Sequence, residues 1–309
     1  AVPPLDPFAG QLVVCDQPAA RRDLAQSLAQ RLGTDETAGG ICAGVEFVGL
    51  SSLRRHLGES LLGQGAATDP WRSRGLTLGV FDVMQEVGDE PWFTPIAHHL
   101  SQGGRPGRRF ATADRVARLL LRYVHDCPSL VRAWNTGHDV GPDGEPLPAG
   151  TLWQPRIWRL VSERLATQGS TDPLTRHADL LAAVATARNE ELLPRGDHCL
   201  RLVDPVPCSP LDRELVAALA ERIDVRLWVL EGSGRVRDTA FDRWVAQASS
   251  VERCAGGIPP EPAFTFHASH GPDRQVEVLR ETLCALLQDD PTLEPRDVVV
   301  ACPDLGTFA

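Results

Sequence analysis

The fold class of this chain follows from four short runs with the composition of strands. They lie at residues 11–15, 197–203, 225–230 and 298–302, and the last is the unbroken apolar sequence Val-Val-Val-Ala-Cys. Unbroken apolar runs of this length are typical of strands that are buried on both faces of a parallel sheet. Segments with helical periodicity accompany these runs, as in β-α-β units. The pattern therefore predicts an α/β fold with a parallel sheet and helices on both faces.

Apolar residues that recur three and four positions apart predict the helices. One predicted helix covers residues 19–32, and another covers residues 209–221, with Ser209 as its cap and Pro210 at its first position. A helix-rich segment begins at residue 69 and includes a strongly amphipathic helix at residues 108–124. Trp153 and Trp158, five positions apart in this segment, are interpreted as packing anchors.

The length of 309 residues gives room for about two domains of ~150 residues each. We predict an α/β domain at residues 1–68 and 196–262, interrupted by an inserted all-helical domain at residues 69–195. Residues 263–309 are predicted to begin a second α/β domain. Its elements would be a strand at 263–269, a helix at 273–288 and the strand at 298–302.

The composition excludes one large class of enzymes, because all 31 basic residues are arginine. A P-loop needs a lysine that reaches the β and γ phosphates of the nucleotide. The turn after the first predicted strand, Asp-Gln-Pro-Ala-Ala, also lacks the glycine that lets backbone amides form an anion-binding nest. We therefore expect no nucleotide-hydrolysing site and no cofactor in this chain.

Other catalytic and metal-binding patterns are equally weak. The eight cysteines are scattered without a Cys-x-x-Cys pair, and Cys15, Cys42, Cys284 and Cys302 lie in apolar surroundings that predict core thiols. His267 and His270 lack a third metal ligand nearby, so a structural role is favoured. No apolar stretch approaches the ~18 residues that span a membrane, and no secretory leader is recognisable, so we expect a cytoplasmic protein.

Arginines are concentrated in one part of the chain, although the net charge is -10. Residues 101–123 contain six arginines and a single acid, Asp114. Arg115, Arg118 and Arg122 recur on one face of the predicted helix. This face is either an ordinary solvated surface or a surface that grips phosphates, and arginine can also stack on exposed bases.

Several segments resemble the RecC family, the gamma subunit of exodeoxyribonuclease V. The resemblance is carried by LDPFAGQLVVCDQPAARRDLAQSLAQRLG near the start, by RFATADRVARLLLRYVHDCPSLVRAWNTGHD and LWQPRIWRLVSERLA in the helical segment, and by HGPDRQVEVLRETLCALLQDDPTLEPRDVVVACPD at the end. In the helical segment the matching residues are Tyr123, Pro128, Leu130, Trp134, Trp153, Gln154, Trp158 and Arg159. The matches correspond to the N-terminal part of such a subunit.

The resemblance implies an inactivated superfamily 1 helicase-like fold and a non-catalytic, DNA-binding role. Such a subunit channels and scans single-stranded DNA during the repair of double-strand breaks by recombination. A helicase–nuclease subunit similar to RecB and a second helicase similar to RecD would be the partners, would use the ATP and magnesium, and would act on single- and double-stranded DNA ends. The residues implied as DNA contacts are Arg22, Arg118, Arg122 and Arg176, which would neutralise phosphates, with Arg118 and Arg176 also touching bases.

Two other functions remain open at this point. The chain could be a purely structural docking module for the helicase–nuclease subunits, with no DNA contacts of its own. It could also resemble an AddB-like helicase–nuclease subunit, but such proteins usually carry a P-loop near the N-terminus, which the absence of lysine excludes here.

Overall fold

The computed structural model describes residues 10–32, 40–63, 69–71, 73–101, 107–193, 199–203, 209–231, 248–255, 265–302, 304 and 306. The chain divides into two compact units, Ala1–Gly256 and Gly257–Ala309, which are described separately below.

The first unit combines strands and helices. In chain order its described elements are β1 (Gln11–Val14), α1 (Pro18–Leu32), β2 (Val45–Val48), α2 (Leu50–Leu62), α3 (Ser73–Glu86), α4 (Thr94–Ser101), α5 (Arg108–Asp126), α6 (Pro128–Asn135), α7 (Trp153–Thr167), α8 (Pro173–Thr186), α9 (Asn189–Leu192), β3 (Cys199–Val203), α10 (Pro210–Ala220), β4 (Asp224–Glu231) and β5 (Ser250–Ala255).

The five described strands form one fully parallel sheet with the order β2-β1-β3-β4-β5. The predicted strands at residues 11–15, 197–203 and 225–230 are confirmed as β1, β3 and β4, although 197 and 198 lie outside the described residues. The sequence did not indicate β2 and β5, which are the two edge strands. Edge strands mix polar and apolar residues, as Val-Glu-Phe-Val does in β2, so they lack the continuous apolar run of a central strand.

Helices cover both faces of this sheet, as predicted. On one face Leu12 and Val14 of β1 pack into a core that also contains leucines and valines of α2, α8 and α10. On the other face Val13 and Cys15 pack against Ala20 and Leu24 of α1. Each fully buried leucine or valine stabilises the fold by roughly 1.5–3 kcal/mol, so the alternation along β1 fixes its position between two helical layers.

A second core lies among the helices between β2 and β3. Its largest fully buried side chains include Trp71, Phe93, Trp134 and Trp158. Helix α10 contributes to both cores, because Leu211 packs into the helical core and Leu215 into the sheet core. The division of this unit into an α/β domain and an inserted helical domain remains a prediction.

The start of α10 confirms the expected cap. Ser209 Oγ accepts a hydrogen bond from the backbone N–H of Asp212 at 3.1 Å, and Asp212 Oδ2 accepts one from the backbone N–H of Ser209 at 3.3 Å. Pro210 occupies the first position of the helix. The same Asp212 carboxylate also forms an ion pair with Arg54 of α2, so the cap connects two helices of the sheet core.

In the second unit the predicted helix is confirmed as α11 (Gly271–Asp289), but the two predicted strands are wrong for its described residues. Residues 265–269 and 298–302 have no strand pairing, while 263 and 264 lie outside the described residues. Val299 is 89% exposed. Buried parallel strands require helices on both faces, and the described part of this unit offers a single long helix.

The prediction of four core thiols is correct for one cysteine and wrong for three. Cys15 is buried in the sheet, as predicted, but Cys284 on α11 is exposed and is not a core residue. Cys42 and Cys302 are partly exposed, so they are not core residues either. In the described parts of the chain, no helix is long and apolar enough to cross a bilayer.

Candidate nucleic-acid interface

Helix α5 is the most basic element of the structure, and its sequence explains how it folds. Gly107 precedes it with a φ of 82°, in the left-handed region that favours glycine. The helix ends at Asp126, two residues before Pro128, which begins α6. Its buried face is formed by Thr112, Ala113, Val116, Ala117, Leu120 and Val124. This face packs into the helical core and leaves the opposite face to solvent.

The arginines of α5 lie on that exposed face. Arg115, Arg118 and Arg122 are all exposed and follow one another at intervals of three and four residues. The Arg118 guanidinium forms an ion pair with Asp114 at 2.6 Å, yet its side chain stays 69% exposed. No described residue forms an ion pair with Arg115 or Arg122. The face therefore presents a continuous row of solvated positive charge.

The structure does not bring all four sequence-predicted arginines together. Arg118 and Arg122 are neighbours on α5, but Arg22 is exposed on α1, which packs on the other face of the sheet from α10. Arg176 lies on α8 and is partly buried, and its Nη1 donates to Asp69 Oδ2 at 2.7 Å. That ion pair ties α8 to the segment that precedes α3.

The residues that match the RecC pattern in the helical segment meet in the helical core. The Tyr123 hydroxyl donates a hydrogen bond to Gln154 Oε1 at 3.0 Å. The Tyr123 ring packs edge-on against the Trp134 ring, with ring centroids 5.4 Å apart. Arg159 Nη1 donates to the backbone oxygen of Trp134 at 3.2 Å. Trp158 is fully buried and donates to Asn135. The interpretation of Trp158 as a packing anchor is confirmed, and these residues join α5, α6 and α7.

The turn after β1 is the place where a parallel sheet of this order most often binds a ligand. The strand order reverses between β1 and β3, and ligands usually lie beside the carboxyl ends of the strands at such a switch point. Here Asp16 Oδ1 accepts a hydrogen bond from the backbone N–H of Leu50 at 2.9 Å, and Arg21 Nε donates to the Cys15 carbonyl. The Asp16 carboxylate thus occupies the N-terminus of α2, where it would repel a phosphate.

A partly buried polar cluster connects α10 to the helices around it. Arg132 of α6 binds Glu214 with two hydrogen bonds, of 3.1 and 2.7 Å, and His177 Nε2 donates to Glu214 Oε2 at 3.1 Å. Burial lowers the pKa of His177, and the nearby guanidiniums of Arg54 and Arg132 lower it further, against the opposing effect of Glu214. Burial raises the pKa of Glu214, but the hydrogen bonds and charges of Arg132 and His177 outweigh it and lower the pKa overall.

These groups make a structural cluster and not a catalytic one. Each contacts a neighbouring helix, and His177 is buried, with a side chain only 3% exposed. Within the described ranges no group of three or more His, Cys, Asp or Glu side chains could hold a metal ion. The exposed arginines of α5 can bind anions.

Sequence reasoning missed two residues beside the arginine face. Arg74 of α3 and Phe110 of α5 line an open groove between these helices, together with Thr77, Leu78 and Asp114. Phe110 follows two arginines directly in the sequence, which is the available signal for an aromatic group within a basic surface. The sequence around Arg74 does not indicate a place beside the arginine face, because only the packing of α3 against α5 brings Arg74 to the groove.

Comparison with known proteins agrees with the resemblance of the sequence segments. The sequence pattern of the family described as "RecC, N-terminal domain" matches residues 1–253. The chain belongs to the RecC family. The match covers β1 to β5 almost completely, and hence both the sheet and the helices around α5.

Individual RecC-family proteins show how much of a relative this chain covers. "RecBCD enzyme subunit RecC" of Mycobacterium tuberculosis is 31% identical over 380 aligned positions, which cover 100% of this chain and 33% of the relative. The protein of the same name from Escherichia coli K12 is 45% identical, over 98% of this chain and 35% of the relative. That of Mycolicibacterium smegmatis is 29% identical. The chain thus spans about a third of the length of these RecC relatives.

Proposed function

We propose that this RecC-family chain is part of a non-catalytic subunit of an exodeoxyribonuclease V complex, and that it channels and scans single-stranded DNA during double-strand-break repair by recombination. The observation that carries this proposal is the exposed row of Arg115, Arg118 and Arg122 on α5. Solvated arginines in a row neutralise successive phosphates, and the release of counterions drives such binding. The relatives' name, RecBCD enzyme subunit RecC, supports the choice of complex.

The proposed DNA contacts differ in how accessible they are. Arg122 is exposed and has no ion-pair partner among the described residues, whereas Arg118 would exchange its exposed ion pair with Asp114 for a phosphate. Arg22 is a further contact on the α1 side of the sheet, which a strand would reach separately. Arg176 is less accessible, because its ion pair with Asp69 is partly buried and the guanidinium would have to exchange that carboxylate for a phosphate. We therefore propose α5 as the main DNA-binding surface.

The partners in this proposal supply the chemistry. A helicase–nuclease subunit similar to RecB and a second helicase similar to RecD would bind ATP and magnesium and would act on single- and double-stranded DNA ends. The turn after β1 supports this division of labour. It places the Asp16 carboxylate at the N-terminus of α2, and a carboxylate there disfavours the binding of a nucleotide phosphate.

A second candidate function is a docking module that holds the partner subunits without contacting DNA. It is favoured by five described arginines that bind carboxylates of other elements or loops and are therefore occupied within the fold. These are Arg54, Arg132, Arg159, Arg164 and Arg176.

The two candidates are separated by the binding of a fluorescein-labelled single-stranded oligonucleotide, measured by anisotropy at low salt. We expect the chain to bind, and we expect Arg118→Ala/Arg122→Ala to weaken binding. The matched control is Arg31→Ala/Arg55→Ala, which removes the same charge from exposed positions on α1 and α2. An absence of binding, or an equal loss in both double variants, would reject the α5 interface and favour the docking module.

A further inference from the structure

An open groove between α3 and α5 lies beside the arginine row. The two helices run antiparallel, because Thr77 of α3 donates a hydrogen bond to Asp114 of α5 at 3.4 Å, while Phe81 lies against Phe110. The groove has a volume of about 470 Å³ and is lined by Arg74, Thr77, Leu78, Phe110 and Asp114. It is therefore open to solvent and carries aromatic, apolar and charged groups together.

Phe110 is an exposed aromatic ring that is held in place. Phe110 is 48% exposed, although phenylalanine side chains are among those most often buried in proteins. One side of the ring is supported by Phe81, with ring centres 6.1 Å apart and planes inclined by 57°. Phe81 holds one side of the ring, and the other side is in contact with solvent. A ligand can therefore stack on the exposed side with little loss of side-chain conformational entropy.

The charges around Phe110 suit a polyanion. Phe110, Asp114, Arg118 and Arg122 are spaced four residues apart and so lie on one row of the helix surface. Arg74 faces the groove from α3. Among the described residues that line the groove, Asp114 is the single acid, and it forms an ion pair with Arg118 at 2.6 Å and accepts a hydrogen bond from the Thr77 hydroxyl. The carboxylate therefore does not repel a phosphate strongly.

We propose that this groove binds an unstacked base of single-stranded DNA on the ring of Phe110, with Arg74 beside the base and with Arg118 and Arg122 on the phosphates that follow. This inference rests on the function proposed above and names a base-contacting residue for it. Aromatic rings interleaved with arginine form the platform of sequence-tolerant single-strand binding. The rise along α5 from Phe110 to Arg118 is about 12 Å, a distance that a strand of a few nucleotides spans.

An apolar protein segment fits the groove less well. Its exposed apolar side chains are Phe110 and Leu78, the latter 53% exposed, and the rest of the lining is charged or polar. A peptide that covered Arg74 and Asp114 would have to desolvate both charges. A base stacks on the ring and leaves its own edges and the surrounding charges in water.

Three variants and a crosslinking measurement test this inference on the 309-residue chain. Base stacking contributes about 1–3 kcal/mol, so Phe110→Ala should weaken the binding of a single-stranded oligonucleotide by roughly 5- to 150-fold. Phe110→Trp should restore or increase the affinity. The control is Ile41→Ala, which removes an exposed apolar side chain that is not part of the groove. An oligonucleotide that contains 5-iodouracil should crosslink to Phe110 on irradiation, as located by mass spectrometry.

The outcomes separate this inference from the proposed function. If Arg118→Ala/Arg122→Ala weakens binding but Phe110→Ala does not, or if crosslinks form only elsewhere, the stacking site is rejected and the proposed function stands. If Phe110→Trp binds as weakly as Phe110→Ala, the loss reflects disturbed packing against Phe81, and the stacking role is again rejected. If the wild-type chain binds no oligonucleotide, both are rejected.

Discussion

The hydroxyl of Tyr123 donates a hydrogen bond to Gln154 Oε1 at 3.0 Å, and this bond joins the last turn of α5 to the first turn of α7. Both residues are among those that match the RecC pattern. The Trp134 ring, which also matches, meets Tyr123 edge-on. The matching residues of the helical segment therefore hold α5 in position, while Arg115, Arg118 and Arg122 on its opposite face are exposed to solvent.

Replacing Tyr123 by phenylalanine should lower the free energy of unfolding by about 1 kcal/mol. The substitution keeps the edge contact with Trp134 but removes the donor to Gln154. Urea denaturation followed by circular dichroism measures the change. Tyr123→Ala also removes the ring contact and should cost more. A Tyr123→Phe variant as stable as the wild type would show that the hydrogen bond contributes nothing.

Two glycines on α3 should respond to alanine in opposite ways. A Cβ atom at Gly75 would lie 2.5 Å from the backbone oxygen of Pro70, so Gly75→Ala forces the backbone to shift and should cost roughly 1–3 kcal/mol. A Cβ at Gly79 would lie 3.6 Å from Leu165, an ordinary contact. Gly79→Ala should therefore stabilise the helix by about 0.5–1 kcal/mol.

The same thermal or urea denaturation compares the two variants, each serving as the control of the other. Equal effects of both substitutions on the unfolding midpoint would contradict the close packing of α3 against the Pro70 backbone.

Stability should depend on pH through His177. Its pKa is lowered in the folded protein, first by burial and then by the charge of Arg54, with Arg132 adding to the effect and Glu214 opposing it. Below the ordinary histidine pKa of 6.5 the unfolded chain binds a proton that the folded protein does not. The contribution of neutral His177 to the free energy of unfolding is therefore complete above that pH, and it is lost as the pH falls through the lowered pKa of the folded state.

The pH dependence is measured as the urea midpoint of unfolding between mildly acidic and neutral pH, and the midpoint should rise with pH. His177→Gln retains an N–H donor for Glu214 but cannot titrate, so its midpoint should change less over this interval. Glu214, whose pKa is also lowered, adds a further loss only in more acidic solution, below its ordinary pKa of 4.5. An identical pH profile in His177→Gln would exclude His177 as the source.

The arginine substitutions on α5 should leave stability unchanged. Arg122 is exposed, and Arg118 takes part in an exposed ion pair with Asp114, which contributes at most about 1 kcal/mol. The unfolding midpoint of Arg118→Ala/Arg122→Ala should therefore match that of Arg31→Ala/Arg55→Ala. A large loss of stability in the α5 variant alone would mean that its arginines serve the fold.

The sequence was sufficient to predict the central strands, the main helices and the cap of α10. These elements have apolar patterns that reflect burial in the first unit itself. The sequence was not sufficient to predict β2 and β5, because edge strands mix polar and apolar residues. It also led to a wrong prediction for residues 298–302. Val298 to Val300 have the composition of a buried strand, but a strand forms only where other strands and helices are present to cover it.

The candidate site was predictable in part for a similar reason. The arginines of α5 lie close together in the sequence, so helical periodicity alone places Arg115, Arg118 and Arg122 on one face. Arg74 and Arg176 depend on contacts between distant segments. Arg74 reaches the groove through the packing of α3 on α5, and Arg176 is bound by Asp69, more than 100 positions away. No local pattern contains that information.

The most direct test of the α5 interface is the salt dependence of single-stranded oligonucleotide binding. Each phosphate contact contributes about 0.7 to the slope of log K against log salt. The variant Arg115→Ala/Arg118→Ala/Arg122→Ala should therefore reduce the magnitude of the wild-type slope by about 2. An unchanged slope in this variant, with Arg31→Ala/Arg55→Ala as the control, would show that the DNA does not lie along α5.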